Sequence, residues 1–185
     1  METVKTPATL DDLYRAPDDG CTYELVNGEL VKMAPTGKEP SNVSFEIAVA
    51  RRAYARRIGK GRARADGVAY TVALPRRRSF SPGASFSYTY TPGNMRFISG
   101  APVFAVEVRS EHDYGATPDR EYAEKRRDYF AAGTAVVWDV DPLARTVTKY
   151  QAETPDTPTL FHEGDTADAE PALPSWSVVV RDLFS

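Results

Sequence analysis

The sequence predicts a mixed α/β fold: a mixed central β-sheet flanked by helices, with an N-terminal β-hairpin. A strand pattern within the apolar run at 101–110, a helix pattern beginning at 117 and a continuous apolar strand at 135–140 follow one another, and this order is typical of a crossover connection. Asn27-Gly28 separates two alternating segments, which predicts a type I′ hairpin turn. At 185 residues with 42% hydrophobic content, the chain suits a single domain over 1–185.

Two helices are predicted in the first third of the chain. Thr9 and Asp12 match the capping-box pattern and begin a short helix. Ser41 or Asn42 can cap a longer helix, which Gly59 ends. The longer helix carries an apolar stripe at helical spacing, formed by Val43, Ile47, Ala50, Tyr54 and Ile58. We expect this stripe to pack on the sheet.

The hairpin strands, Thr22–Val26 and Glu29–Met33, contain two carboxylates that bear on function. Side chains alternate between the two faces of a strand, so either Glu24 or Glu29 could face a cleft. Solvent exposure is the ordinary outcome for a glutamate. The sequence leaves both outcomes open.

Shorter elements complete the predicted sheet. They are strands at 68–74, 81–88, 146–150, 159–162 and 177–180, and a terminal helical turn at 181–184. The central helix has Thr117 as its N-cap and Pro118 at its first position, and Gly133 ends it. Lys125 lies close to the packed face of this helix, so it could act in a site there. The alternative is that its side chain only extends along apolar surface to place the ammonium in water.

One carboxylate, Glu107, lies inside the apolar run at 101–110, and Arg109 follows two residues later. On a strand these two side chains share the face opposite Val106. Ionised side chains are rare in a central strand unless they are paired, metal-bound or functional. This strand end is therefore a candidate site, and a structural ion pair is the alternative interpretation.

Cations concentrate in two segments, which we expect to contact DNA phosphates. The residues are Arg51, Arg52, Arg56 and Arg57 on the long helix, largely off its apolar stripe, and Arg76, Arg77 and Arg78 in a later turn. The formal net charge of -3 argues against a chain that binds nucleic acid over its whole surface, but it allows a local basic patch. A solvated helix face and a charged loop are the alternative.

The sequence also bears on location. The single cysteine, Cys21, excludes an internal disulfide and has no zinc-ligand spacing. No apolar run is long enough to span a bilayer, and no signal-peptide pattern is present. We expect a cytoplasmic protein with no membrane partner.

Short motifs recur along the chain in a characteristic order. They occur at 9–13, 23–30, 81–86, 104–110, 137–142, 173–174 and 182–184, with Lys125, Tyr129 and Gly133 on the central helix. Together they resemble the bacterial Uma-type "putative restriction endonuclease" domain, a branch of the PD-(D/E)xK nuclease superfamily. The resemblance covers nearly the whole chain and implies a restriction-endonuclease-like core that hydrolyses DNA phosphodiester bonds.

The resemblance also implies the site residues. In this superfamily two acids bind Mg²⁺ or Mn²⁺, and a lysine orients or activates the attacking water. Glu107 matches the second acid, and Lys125 matches a lysine that comes from the following helix. Arg109 stands where the superfamily pattern has lysine. Arginine can stabilise anionic oxygens. The pKa of its guanidinium is so high, however, that the group stays protonated and cannot serve as a base.

Gly83 is the main departure from the family pattern. It stands where the pattern has the first metal-binding aspartate, and glycine offers no side-chain oxygen. Glu107 is then the remaining metal-binding carboxylate unless another acid substitutes; the candidates are Glu29, Asp66, Glu111 and Asp113. We expect weak Mg²⁺ binding and an endonuclease that is weakened or inactive.

Two other hypotheses stay open. The chain can be a catalytically degraded relative that keeps the fold to bind DNA or a protein partner. It can also be a purely structural domain, although that leaves Glu107 and Lys125 unexplained. If it is an endonuclease, analogy with nucleases that cut both strands predicts a homodimer.

Overall fold

The computed structural model describes residues 6–89, 92–93 and 95–185. Its N-terminal elements are helix α1 (Leu10–Tyr14) and a hairpin of strands β1 (Thr22–Val26) and β2 (Glu29–Met33). Thr9 caps α1 in a capping box with Asp12. Asn27 and Gly28 adopt positive φ angles of 51° and 72°, as a type I′ turn requires. The predicted short helix and hairpin are confirmed.

The remaining strands form one large sheet and two small ones. They are β3 (Arg62–Ala65), β4 (Tyr70–Thr71), β5 (Ser79–Phe80), β6 (Ala84–Ser87), β7 (Ile98–Ser99), β8 (Phe104–Val108), β9 (Val136–Asp141), β10 (Thr146–Gln151), β11 (Thr154–Phe161), β12 (Thr166–Asp168) and β13 (Ser177–Val179). The large sheet has the order β11-β10-β9-β8-β6-β3. Only its central pair, β8 and β9, is parallel. The predicted mixed sheet is confirmed.

Two long helices complete the fold. Helix α2 (Lys38–Ile58) begins earlier than the predicted caps, after Gly37. Pro40 is tolerated there because first-turn N–H groups have no partner within the helix. The helix ends at Gly59, which has a φ of 70°. Helix α3 (Ala116–Ala131) connects β8 to β9, as the predicted crossover requires.

The central sheet separates two apolar clusters. Alternate residues of β8 enter each cluster: Val106 packs with Val43 and Ile47 of α2, whereas Ala105 packs with Tyr129 of α3. Strand alternation therefore directs Glu107, which shares the face of Ala105, towards α3. The fold brings the strand acid and the helix lysine to the same side of the sheet.

Two predicted elements are shorter or differently placed. The segment 68–74 forms a strand only at Tyr70–Thr71, in a three-stranded sheet beside the main one. The terminal turn is a 3-10 helix, Val180–Phe184. None of the helices in the described ranges is both long enough and apolar enough to cross a membrane.

Candidate active-site cleft

A cleft opens where the hairpin, the C-terminal end of β8 and helix α3 meet. Its cavity volume is about 370 Å³, and its walls include Glu24, Gly83, Glu107 and Lys125. In sheets with parallel strands, ligands commonly bind outside the carboxyl ends of those strands. The cleft therefore occupies the position in which this topology places a site.

Lys125 lies between two carboxylates in this cleft. Its Nζ is 2.9 Å from Oε1 of Glu24, and it is 3.0 and 3.1 Å from Oε1 and Oε2 of Glu107. The Tyr129 hydroxyl donates to Glu107 Oε1 at 2.7 Å. The predicted proximity of Glu107 and Lys125 is confirmed, while their catalytic roles stay a prediction.

Glu24 is the second acid of the cluster, and further donors fix it in place. The Ser81 backbone N–H donates to its Oε1 at 2.8 Å, and Arg77 Nη1 donates to its Oε2 at 2.5 Å. Arg77 also donates through Nε to Asp128 at 2.9 Å. The Glu24 side chain is only 4% exposed, so these partners are what allow its charge to be buried.

Burial and charge act in opposite directions on these groups. Burial raises the pKa of Glu107, the charge of Lys125 opposes this, and the net pKa lies above its ordinary value. Burial also raises the pKa of Glu24, but Lys125 and Arg77 outweigh it, so the net pKa is lowered. At Lys125 the two carboxylates outweigh burial, and the pKa is raised. Lys125 is therefore an ammonium at neutral pH.

The donor chemistry of the cluster fits a weakly held hard cation such as Mg²⁺. Mg²⁺ prefers carboxylate oxygens and is often held by one or two carboxylates together with water and substrate. Glu24 and Glu107 supply these, but their oxygens already accept from protein donors, so an ion competes with Lys125. Within the described ranges, no three His, Cys, Asp or Glu side chains form a group able to hold a metal.

Gly83 lines the same cleft and could accept a side chain. A Cβ there would lie 3.2 Å from Oγ of Ser44 and 3.5 Å from the Val106 carbonyl oxygen. The buried Ser44 hydroxyl has no hydrogen-bond partner. An aspartate at position 83 would offer this hydroxyl an acceptor, so the cleft holds an unused donor for the acid that the family pattern has there. The Ser44 side chain would have to move by a few tenths of an ångström to admit it.

Arg109 lies outside the lining of the cleft, although it shares a strand face with Glu107. Its Nε and Nη2 donate to Asp139 at 3.1 and 3.0 Å, and its Nη1 donates to Asp119 at 2.7 Å. Strand β9 pairs Asp139 with Glu107 in register, and this position allows Asp139 to bind the guanidinium of Arg109. Arg109 is therefore paired outside the cleft lining, and its role in the site with Glu107 stays a prediction.

The hairpin supplies Glu24 to the cleft, and not Glu29. Glu24 is buried, whereas Glu29 is exposed and does not line the cleft, so metal binding by Glu29 stays a prediction that the position of its side chain does not support. Among the other candidate acids, Asp66 and Asp113 line the cleft and Glu111 is exposed. Glu29 pairs with Val26 and so shares the hairpin face of Glu24, but it lies at the turn end of the hairpin, outside the cleft lining. Only the tertiary position of the hairpin shows which end of this face reaches the cleft.

Two of the arginines expected to contact DNA are buried. Arg51 is 0% exposed and cannot reach a phosphate, which contradicts that expectation. Arg77 is 6% exposed but lines the cleft, where Glu24 and Asp128 hold its guanidinium, so its contact with DNA stays a prediction. Arg51 lies four residues after Ile47 and three before Tyr54. It therefore falls on the apolar stripe of α2, and this helical spacing could have identified it.

The other arginines remain at the surface. Arg52, Arg56 and Arg57 are exposed on α2, and Arg57 donates to the Ser175 carbonyl at 3.3 Å. Arg76 donates to Glu124 at 3.0 Å, and Arg78 donates to the Val72 carbonyl at 3.2 Å. The arginine side chains of the basic turn therefore have more contacts with other protein groups than those on the exposed face of α2.

The chain is similar to known proteins along nearly its whole length. The family described as "Uma2: Putative restriction endonuclease" matches residues 10–181. A crystal structure of "a putative nuclease belonging to DUF820 from Anabaena variabilis ATCC 29413" has a TM-score of 0.76 and 19% sequence identity, over 96% of this chain and 98% of that chain. This likeness shows the fold. No match is found among curated proteins.

Proposed function

Because the chain belongs to the Uma2 family, we propose that it is an endonuclease-like hydrolase of DNA phosphodiester bonds whose catalytic centre is weakened at Gly83. One observation carries the proposal: Lys125 lies 2.9 Å from Glu24 and 3.0 Å from Glu107 in a single cleft. These are hard oxygen donors and a fixed positive charge, the groups that phosphodiester hydrolysis needs.

Each residue of the cluster has a distinct role in the proposal. Glu107 and Glu24 would hold Mg²⁺ or Mn²⁺, which supplies charge neutralisation at phosphorus and a more acidic bound water. Lys125, whose pKa is raised, is a donor and a positive charge at neutral pH, and not a general base. Tyr129 holds the Glu107 carboxylate through Oε1, which fixes the direction in which Glu107 faces the cleft.

The expected activity is low because the cluster is largely self-neutralised. Lys125 satisfies oxygens of both carboxylates, and Gly83 contributes no further acid. Mg²⁺ dehydrates reluctantly and competes poorly for oxygens that are already hydrogen-bonded. The parent protein should therefore need Mg²⁺ or Mn²⁺ at high concentration.

The test is nicking of supercoiled plasmid by the purified protein with Mg²⁺ or Mn²⁺. We expect slow nicking that EDTA abolishes and that Glu107→Gln removes. Glu153→Gln, which changes an exposed glutamate outside the cleft, is the matched control and should nick like the parent. Equal nicking by Glu107→Gln and the parent would show that another site, or a contaminating nuclease, does the cutting.

A second candidate function is DNA binding without cleavage. The self-neutralised carboxylates and Gly83 favour it, because binding needs no metal. Electrophoretic mobility shift in EDTA distinguishes the two: retention of duplex DNA by a protein that never nicks under any metal condition supports the binding function alone. Light scattering of the same preparation tests the expected homodimer.

A further inference from the structure

A second pocket lies at the far end of α2 and is strongly basic. It is lined by Arg52, Ala55, Arg56, Gly59, Lys60, Gly61, Arg62 and Ala63, and its cavity volume is about 480 Å³. Four of these residues are cations and none is an acid. The pocket shares no residue with the active-site cleft, so its charge needs an explanation of its own.

The helix arginines of this pocket differ from the cations of the cleft in their partners. Lys125 and Arg77 are each held by two carboxylates. Arg52 and Arg56 are exposed, and neither forms a salt bridge with any carboxylate in the part of the chain that the structure describes. Positive charge without internal partners is available to an external anion.

The floor of the pocket is closely packed. Gly61 has a φ of 82°, and a Cβ added there would lie 2.4 Å from the ring of Phe86, which is fully buried in the core. The ammonium of Lys60 lies 5.2 Å from the centre of the Tyr88 ring. The β3 end of the pocket is thus fixed to the core, which holds in place the backbone that carries Lys60 and Arg62.

Two elements connect this pocket to the active-site cleft. Strand β3 starts at Arg62 in the pocket, and Asp66, just after its end, lines the cleft; these four steps span about 13 Å. On α2, Arg56 lies twelve residues after Ser44, another cleft residue, a rise of about 18 Å. Strand β3 is the edge strand of the large sheet, so the two sites lie at its opposite ends.

We propose that the basic pocket is a phosphate subsite that holds the DNA backbone to one side of the cleft. Phosphates of one strand are spaced by about 3.4 Å along a duplex, so the separation corresponds to roughly four or five base pairs. The choice of DNA as the polyanion rests on the proposed function. The subsite fixes the register of the duplex without reading its sequence.

A stabilising role for the same cations is the competing explanation. Cations in the last turn of a helix interact favourably with its C-terminal dipole, and that dipole opposes the binding of an anion. The dipole amounts to about half an elementary charge, whereas the pocket carries four formal positive charges. The net field therefore attracts anions.

The experiment measures binding of a fluorescein-labelled 20-base-pair duplex by anisotropy in EDTA, so that no cleavage occurs. We expect Arg52→Gln/Arg56→Gln to bind on the order of tenfold more weakly than the parent at low salt. The slope of log affinity against log salt should fall by about 0.9 for each lost phosphate contact.

Arg120→Gln/Arg127→Gln is the matched control, because it removes two exposed arginines of α3 that line neither pocket. Its affinity and salt slope should stay near those of the parent. An equal loss in both double variants would overturn the subsite, since the effect would then be one of net charge. A fall in melting temperature with unchanged DNA affinity would also overturn it and favour the helix-stabilising role.

Two further outcomes separate this inference from the proposed function. If the parent neither binds the duplex nor nicks plasmid with Mg²⁺ or Mn²⁺, both fail. If the parent nicks but Arg52→Gln/Arg56→Gln matches it in duplex affinity, only the subsite fails. Inorganic phosphate at constant ionic strength distinguishes a backbone phosphate from a free one. Binding of inorganic phosphate that Arg52→Gln/Arg56→Gln abolishes, together with equal duplex affinity in the two proteins, would assign the pocket to a small phosphate and overturn the proposal.

Discussion

Glu107 and Arg109 lie two residues apart on one face of β8, yet they belong to different ionic clusters. Glu107 shares Lys125 with Glu24 in the cleft, so acids outnumber cations there. Arg109 joins β8 to β9 through Asp139 and to the start of α3 through Asp119. One cluster faces a cavity that can take a ligand, and the other holds three elements together.

The difference shows how one sequence motif can be divided between function and stability. The superfamily pattern has a lysine two residues after the strand acid. Here Arg109 occupies that position and stabilises the connection between strand and helix. The cleft receives its cation from α3 instead, through Lys125. Substitutions in the two clusters should therefore have different signatures.

The largest effect is expected for Lys125→Met. This change leaves two buried carboxylates without their shared cation, because Glu24 is 4% exposed and Glu107 is 12% exposed. We expect the free energy of unfolding, measured with urea at neutral pH, to fall by about 3–5 kcal/mol. Plasmid nicking should fall with it.

The pH dependence of this deficit tests its cause. The pKa of Glu107 is already above its ordinary value, and Lys125 opposes that shift, so removing Lys125 raises it further. A carboxyl whose pKa is higher in the folded than in the unfolded state destabilises the fold only when ionised. The deficit should therefore shrink as the pH falls from about 8 to about 5. A constant deficit over this range would mean that the loss is one of packing.

A smaller loss is expected for Arg109→Met. Asp139 is 7% exposed and would lose its main partner, but Arg126 remains 3.8 Å from it. Asp119 is 55% exposed and should contribute little. We expect a loss of about 2 kcal/mol in urea unfolding, with nicking by the folded fraction unchanged. If nicking falls while stability stays constant, Arg109 acts in the site after all.

Gly83→Asp is expected to increase activity. The new carboxylate would lie within reach of the unpartnered Ser44 hydroxyl and would add an acid to the cleft. We expect nicking to rise about tenfold, equivalent to about 1.4 kcal/mol in the barrier, and the concentration of Mg²⁺ needed to fall, as isothermal titration calorimetry can measure.

The control for this gain is Gly164→Asp, which adds the same acid where a Cβ meets no atom within 4 Å. It should leave nicking and metal binding unchanged. A gain in both variants would point to net charge. No metal binding by Gly83→Asp would mean that the added side chain turns towards α2 and Val108, away from Glu107.

The sequence predicts the framework of the site because that framework is local. The Asn27-Gly28 turn, the strand with Glu107 and the helix with Lys125 each follow from turn chemistry or periodicity over a few residues. Crossover topology then brings Glu107 and Lys125 together. These predictions need no knowledge of distant neighbours.

The parts that were missed depend on distant neighbours. Glu24 is in the site because the hairpin folds over the end of β8, and Arg109 lies outside the cleft lining because β9 presents Asp139 in register. Neither neighbour is visible in the local pattern. Arg51 is the exception. Its spacing from Ile47 and Tyr54 places it on the buried stripe, but its charge favoured a surface position in the prediction, because charged side chains are rarely buried.

The smallest effect is expected for Arg51, on the opposite face of β8 from both clusters. Its guanidinium lies 5.1 Å from the centre of the Phe104 ring, its Nε donates to the Ile47 carbonyl at 3.0 Å, and both Nη atoms are buried without partners. Burial lowers the pKa of Arg51 to about 9, so the group is still charged at neutral pH, at a cost to the fold.

Replacing Arg51 with methionine keeps most of the length of the side chain and removes the charge. We expect Arg51→Met to raise the free energy of unfolding by about 1 kcal/mol and to leave duplex affinity unchanged, whereas Arg52→Met, at the exposed neighbour, should change stability by less than about 0.5 kcal/mol. A clear loss of stability in Arg51→Met would show that the contacts with Ile47 and Phe104 outweigh the cost of the buried charge.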